Sequence, residues 1–120
     1  MKKLFILLLG VFLLAGCSNK NEDNGLISYM DAKEKIINEG AIMVDVRTED
    51  EYNEKHIDGS VLLTLETIDD VSAANVIDSK DTPIIVYCRS GNRSSQALSK
   101  LEALGYTKVY DLGSIDNWKE

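Results

Sequence analysis

Ile84-Ile85-Val86-Tyr87-Cys88-Arg89-Ser90-Gly91-Asn92-Arg93-Ser94-Ser95 decides the reading of this chain. Four apolar residues in a row, three of them β-branched, predict a strand over Ile84 to Tyr87. Cys88 to Asn92 reads as a loop. From Arg93 to Leu104, Ala97, Leu98, Leu101 and Leu104 recur at helical spacing, and Gly105 ends that helix. An uninterrupted apolar strand belongs in a parallel sheet covered on both faces. In such sheets ligands bind beyond the carboxyl ends of the strands, and Cys88 stands at such an end.

The loop has the composition of an anion site built around a nucleophile. Backbone N–H groups in a loop that curls into a helix start are expected to point inward and cradle negative charge. Gly91 permits backbone angles that a side chain would oppose. Arg89 and Arg93 add fixed positive charge. All three features favour a thiolate over a thiol and attract an anionic substrate. The competing interpretation, a buried structural cysteine, leaves two arginines and a glycine within five residues of Cys88 unexplained.

Outward from this loop, short apolar runs alternate with amphipathic segments, the pattern of an α/β domain with a parallel sheet. Leu26-Ile27-Ser28 reads as a short first strand, with Ser28 capping a helix over Met30 to Asn38 that Gly40 ends. Ala41 to Asp45 is a second strand. Thr48-Glu49-Asp50-Glu51 has the form of a capping box that opens a short helix through Glu54. Val61-Leu62-Leu63 is a third strand, Glu66 to Asp78 holds one or two short helices, and Asp81-Thr82-Pro83 turns into the Ile84 strand. Lys108-Val109-Tyr110 is the last strand, with a short terminal helix over Ile115 to Trp118. The expected architecture is three-layer α/β/α around a central, mostly parallel five-stranded sheet.

The N-terminus has a separate logic. Lys2 and Lys3 precede an apolar run from Leu4 to Ala15, too short to span a membrane as a helix but fitting the core of a secretion signal. Leu14-Ala15-Gly16-Cys17 follows. This resembles the lipobox of bacterial lipoproteins, which implies cleavage before Cys17, acylation of its thiol, and export with attachment to the outward-facing side of the cell membrane. Ser18 to Gly25 contains no apolar residue and reads as a tether. The expected division is therefore 1–16 signal peptide, 17–25 acylated cysteine and tether, and 26–120 folded domain. With Cys17 and Cys88 each given its own role, a disulfide between them is not expected.

Composition bounds the function. The chain has 120 residues, 44% hydrophobic and 28% charged, with a single proline, which is globular in character. A net charge of -7 provides no basic stripe, so a nucleic-acid partner is excluded.

The run Cys88-Arg89-Ser90-Gly91-Asn92-Arg93-Ser94 resembles the active-site motif of the rhodanese family. Asp45-Val46-Arg47, Glu51-Tyr52, His56-Ile57-Asp58-Gly59, and Tyr110, Leu112, Gly113 and Trp118 match further family segments, so the likeness covers nearly all of Leu26 to Lys119. Lys55 and Ser114 stand where the family has glycine, and Ser60 where it has alanine. The resemblance implies a sulfurtransferase with no metal and no organic cofactor. Cys88 would take sulfane sulfur from thiosulfate or a similar small anionic donor, hold it as a persulfide, and pass it to a thiol or cyanide, or to a protein acceptor. Arg89 and Arg93 would orient the anion, and Ser94 would donate a hydrogen bond to the sulfur. Asp45, Arg47 and His56 are read as structural supports of the site, with Asp45 bonding the loop at Arg93, and Trp118 as a hydrophobic latch.

Two other functions share these residues. A membrane-tethered persulfide carrier or sensor would use the same loop without efficient turnover. A cysteine phosphatase would place five residues between cysteine and arginine, whereas Arg89, Ser90, Gly91 and Asn92 are the only residues between Cys88 and Arg93.

Overall fold

The computed structural model describes residues 25–119. The signal, acylation site and most of the tether expected from the sequence lie outside the described residues. Four parallel strands form one sheet: β1 (Ile42–Asp45), β2 (Val61–Leu62), β3 (Ile84–Cys88) and β4 (Val109–Ser114), in the order β2-β1-β3-β4. The helices are α1 (Tyr29–Glu39), α2 (Glu49–Glu54), α3 (Asp70–Val76) and α4 (Asn92–Ala103), with single 3-10 turns at Leu65–Thr67 and Ile115–Asn117.

The expected fifth strand is not formed. Leu26 makes only an isolated parallel bridge to Asp111, held by Ile27 N–H to Asp111 O at 3.0 Å and Asp111 N–H to Gly25 O at 2.7 Å. The reason is length. Ser28 is already committed as the N-cap of α1, where its hydroxyl accepts the Asp31 amide at 3.1 Å, so only two residues are left to pair at the sheet edge.

β3 is one of the two inner strands and all five of its residues are buried. Its side chains alternate between two cores, as a strand covered on both faces must. Ile84, Val86 and Cys88 join Val44, Val46, Ala97, Leu98 and Leu101 under α3 and α4. Ile85 and Tyr87 join Ala32, Met43, Ile57 and Leu112 under α1, with Trp118 packed against that cluster. The α/β/α layering expected from the sequence is therefore present, built on four strands.

Local chemistry sets the helix ends. Gly40 closes α1 with φ +71°, the left-handed geometry that a glycine takes at little cost. Thr48 and Glu51 form the reciprocal capping box that opens α2. Asp69 and Ser72 form a second one that opens α3, inside the Glu66 to Asp78 stretch expected to be helical.

Candidate active site

β1 and β3 lie side by side in parallel register, Val44 opposite Val86 and Asp45 opposite Tyr87, so their carboxyl ends deliver Asp45-Val46-Arg47 and Cys88 to the same edge of the sheet. From there β3 turns through Arg89, Ser90 and Gly91 into α4. Gly91 takes φ +103°, ψ -16°, a left-handed conformation that aims its amide back at the strand end. That amide donates to Cys88 Sγ at 2.9 Å. The Ser94 hydroxyl, in the first turn of α4, lies 3.4 Å from the same sulfur and donates to Gly91 O at 3.2 Å. The sulfur therefore sits at the start of a twelve-residue helix, where the first backbone N–H groups have no partner within the helix. Cys88 is 1% exposed, so it is covered by its own loop and not open at the surface.

The two loop arginines converge on one carboxylate, that of Glu51. Arg93 donates to Glu51 Oε1 at 2.8 Å and to Oε2 at 3.1 Å, a two-pronged ion pair. Arg89 is 4.0 Å from Glu51 Oε2 and largely exposed. Glu51 also accepts the Thr48 amide and hydroxyl at 2.9 and 3.0 Å. Its carboxyl is consequently held down at about 2, with the Arg93 hydrogen bonds the largest cause. Glu51 fixes both the start of α2 and the far side of the cysteine loop.

Asp45 does not bond Arg93, contrary to the expectation from sequence. Its carboxylate is clamped by Arg47, with Nη2 to Oδ2 at 2.7 Å and Nε to Oδ1 at 3.0 Å, and it also accepts the Arg47 amide at 2.9 Å. Two residues apart at a tight strand exit, Asp45 and Arg47 satisfy each other locally before any distant partner can compete. Asp45 is 0% exposed and Arg47 is 6% exposed, so the pair is a buried one. Arg47 also donates to Lys55 O, at 2.6 Å, and its guanidinium carbon lies 5.7 Å from the centre of the Tyr87 ring. Its pKa is raised, first by the hydrogen bond to Asp45.

Behind this clamp, the Tyr87 hydroxyl accepts the Ile57 amide at 3.1 Å and shares a hydrogen bond with Ser60 Oγ at 3.0 Å. Ser60 thus uses its hydroxyl where alanine could not. Burial pushes the Tyr87 phenol up to about 12. His56 stacks on Tyr52 at 3.8 Å between ring centres, and its Nδ1 is 2.8 Å from Tyr52 O. These contacts join His56 to the end of α2, not to the sulfur. Trp118 meets Tyr29 edge-on at 4.9 Å and closes the α1 side of the domain.

A shallow cleft beside the loop is lined by Arg47, Glu51, Glu54, Lys55, Arg89 and Asp116. No grouping of histidine, cysteine, aspartate or glutamate among the described residues has the arrangement of a metal site.

A parallel α/β/α domain with a cysteine at the end of an inner strand, under a three-residue loop that leads into a helix, defines a class of sulfur-handling and phosphate-handling folds. Residues 28–120 match the family of the rhodanese-like domain, and the chain belongs to that family. It is 31% identical over 94 residues to the thiosulfate sulfurtransferase GlpE of Coxiella burnetii, covering 78% of this chain and 85% of that protein. It is 35% identical over 72 residues to the thiosulfate sulfurtransferase PspE of Escherichia coli, covering 60% of this chain and 68% of that protein. Among solved structures, the BH2092 protein of Bacillus halodurans superposes with a TM-score of 0.71 at 28% identity, covering 87% of this chain and 77% of that one.

Proposed function

We propose that this protein is a sulfurtransferase that moves sulfane sulfur from thiosulfate, or a similar small anion, to a thiophilic acceptor through a persulfide on Cys88. The observation that carries this reading is the Gly91 amide pointing at Cys88 Sγ from 2.9 Å, at the N-terminal end of α4. A negatively charged sulfur at that point is stabilised before substrate arrives, and so is the persulfide anion that replaces it. In the step itself the thiolate attacks the outer sulfur of thiosulfate, the S–S bond breaks, and sulfite leaves with the bonding pair. The acceptor then attacks the outer sulfur and returns the thiolate.

Two relatives bearing the name thiosulfate sulfurtransferase support the same substrate class. The four-residue arc and the 1% exposure of Cys88 favour a small sulfur donor over a phosphate ester. The test is thiocyanate production from thiosulfate and cyanide by the full chain, with an aryl phosphate assayed in parallel. Turnover with thiosulfate that Cys88→Ser abolishes is the expected outcome. Hydrolysis of the aryl phosphate with no thiocyanate formed would overturn the assignment.

We also propose that the protein is exported and held at the outward face of the cell membrane by lipid on Cys17. The support is sequence alone: a basic start, an apolar core over Leu4 to Ala15, and Leu14-Ala15-Gly16-Cys17. Cys17→Ala should move the protein from the membrane pellet to the soluble fraction and abolish incorporation of labelled fatty acid. Incorporation that persists in the variant contradicts the proposal.

A further inference from the structure

The cleft beside the cysteine loop is larger than a sulfur-donor anion needs. It holds about 430 Å³ and adjoins a second hollow of about 320 Å³, with which it shares Lys55, Ile115 and Asp116 and which reaches Trp118. Both open at the carboxyl ends of β3 and β4. Cys88 stands opposite Ser114 in the register, so the residues that follow, Arg89 on one strand and Ile115 and Asp116 on the other, come out at the same edge and line the cleft. Thiosulfate, with two sulfurs and three oxygens, fills a small part of that space. A hollow of this size suits a small organic molecule oriented by a few polar side chains.

Four charged side chains line the cleft without being used up inside the fold. Arg47 is committed to Asp45 and Glu51 to Arg93. Arg89 is 75% exposed and has only the 4.0 Å contact with Glu51. The charged groups of Lys55, Glu54 and Asp116 make no ion pair or hydrogen bond among the described residues. Lys55 is nevertheless fixed in place by its backbone, whose N–H donates to Glu51 O at 3.1 Å and whose carbonyl accepts Arg47 at 2.6 Å. The Asp116 backbone is fixed likewise, its amide donating to Ser114 Oγ at 3.0 Å. Two cations and two carboxylates are therefore offered to whatever enters.

We infer that this cleft receives the sulfur acceptor, that the acceptor is a small thiol bearing both an ammonium and a carboxylate, and that Lys55 and Asp116 determine the choice. The inference rests on the persulfide role of Cys88 given above. The acceptor's carboxylate is drawn to Lys55 and Arg89, and its ammonium to Asp116 and Glu54. A thiol with only one of those charges meets repulsion as well as attraction, and a neutral thiol uses neither pair. Cys88 is 1% exposed, so a thiol that collides at random seldom meets the sulfur in line, whereas one held by its charged groups stays at the loop. In the step itself the acceptor's thiolate bonds the outer sulfur of the Cys88 persulfide anion. The S–S bond to Cys88 breaks with its electron pair left on Sγ. The products are the Cys88 thiolate and the acceptor's own persulfide anion, with total charge unchanged.

The test loads the full chain with thiosulfate, removes the donor, and times discharge by cysteine, 2-mercaptoethanol, 3-mercaptopropionate and cysteamine, each rate corrected for its thiolate fraction. Cysteine should be the fastest of the four. Lys55→Met and Asp116→Asn should each lower the ratio of the cysteine rate to the 2-mercaptoethanol rate by about 2–5-fold, the range of one exposed ion pair. Lys55→Met should penalise 3-mercaptopropionate and spare cysteamine, and Asp116→Asn the reverse, a crossing that a merely structural defect does not produce. A wild type with no preference for cysteine overturns the inference, as do variants that slow all four thiols alike. Binding is read without sulfur transfer from the fluorescence of Trp118, the only tryptophan, during titration with S-methylcysteine. A saturable change that weakens in both variants is expected, and no saturable change in wild type counts against the cleft. A saturable change in a protein that never gains sulfur keeps the ligand class and sinks the proposed function. Loading and discharge with no preference among the thiols does the opposite.

Discussion

Replacing Glu51 by glutamine removes a charge and little else. The side chain keeps its size, and glutamine serves at the third helical position of a capping box as glutamate does. What is lost is the ion pair to Arg93 at 2.8 and 3.1 Å and the weaker one to Arg89. A carboxyl lowered from 4.5 to about 2 represents an interaction of about 3 kcal/mol. Part of that comes from the Thr48 hydrogen bonds, which glutamine retains, and the pair is partly exposed, so Glu51→Gln should cost about 1–2 kcal/mol. For a domain of this size that is a fall in Tm of roughly 5–10 °C.

The pH dependence carries the sign. A group whose pKa is depressed by folding contributes its stability above the unfolded value and loses it as pH falls through the folded one. The gap between wild type and Glu51→Gln should therefore be full above pH 4.5 and close as pH falls towards about 2. Thermal or urea unfolding of both proteins across that range measures it. A gap that does not change with pH, or one absent at neutral pH, would refute the reasoning. Because Glu51 braces the loop as well as α2, the same variant should also load sulfur more slowly at a pH where it is fully folded.

Substitutions at three further positions test the support of the site. Tyr87→Phe leaves the buried Ile57 amide without its acceptor and should cost about 1–3 kcal/mol, measured by urea unfolding. Gly91→Ala has room for its methyl group, the nearest neighbour being Gly113 Cα at 4.0 Å, but must hold φ +103°. It should lose about 1–2 kcal/mol and a larger share of activity, because the amide it re-aims is the one on Cys88, and thiocyanate production beside Tm separates the two effects. Arg47→Met leaves Asp45 buried with its guanidinium partner gone and should destabilise by about 3–5 kcal/mol, whereas Arg47→Lys should recover only part of this because it cannot make the two-pronged contact.

The local part of this structure was legible in the sequence. Ile84 to Tyr87 reads as a covered strand, which the structure extends by one residue to Cys88, Ala97, Leu98, Leu101 and Leu104 mark one face of α4, and Ser28, Thr48 and Glu51 mark helix starts by side-chain chemistry that acts over three residues. The cysteine loop was legible for the same reason, since its glycine and arginines lie within five residues. Contacts made across the sheet were not. Glu51 and Arg93 are 42 positions apart, and nothing in either segment names the other. Asp45 pairs with Arg47 and not with Arg93 because the two-residue spacing at the strand exit puts the Arg47 guanidinium against both of its oxygens. The missing fifth strand was a competition between two local preferences, pairing and capping, that Ser28 settled in favour of the cap.

The most direct measurement is the intact mass of the protein before and after incubation with thiosulfate, followed by mapping of the modified peptide. The account predicts a gain of one sulfur atom on Cys88, reversed by cyanide or a thiol and absent in Cys88→Ser. A wild-type protein whose mass does not change, or whose added sulfur maps to another residue, would contradict it.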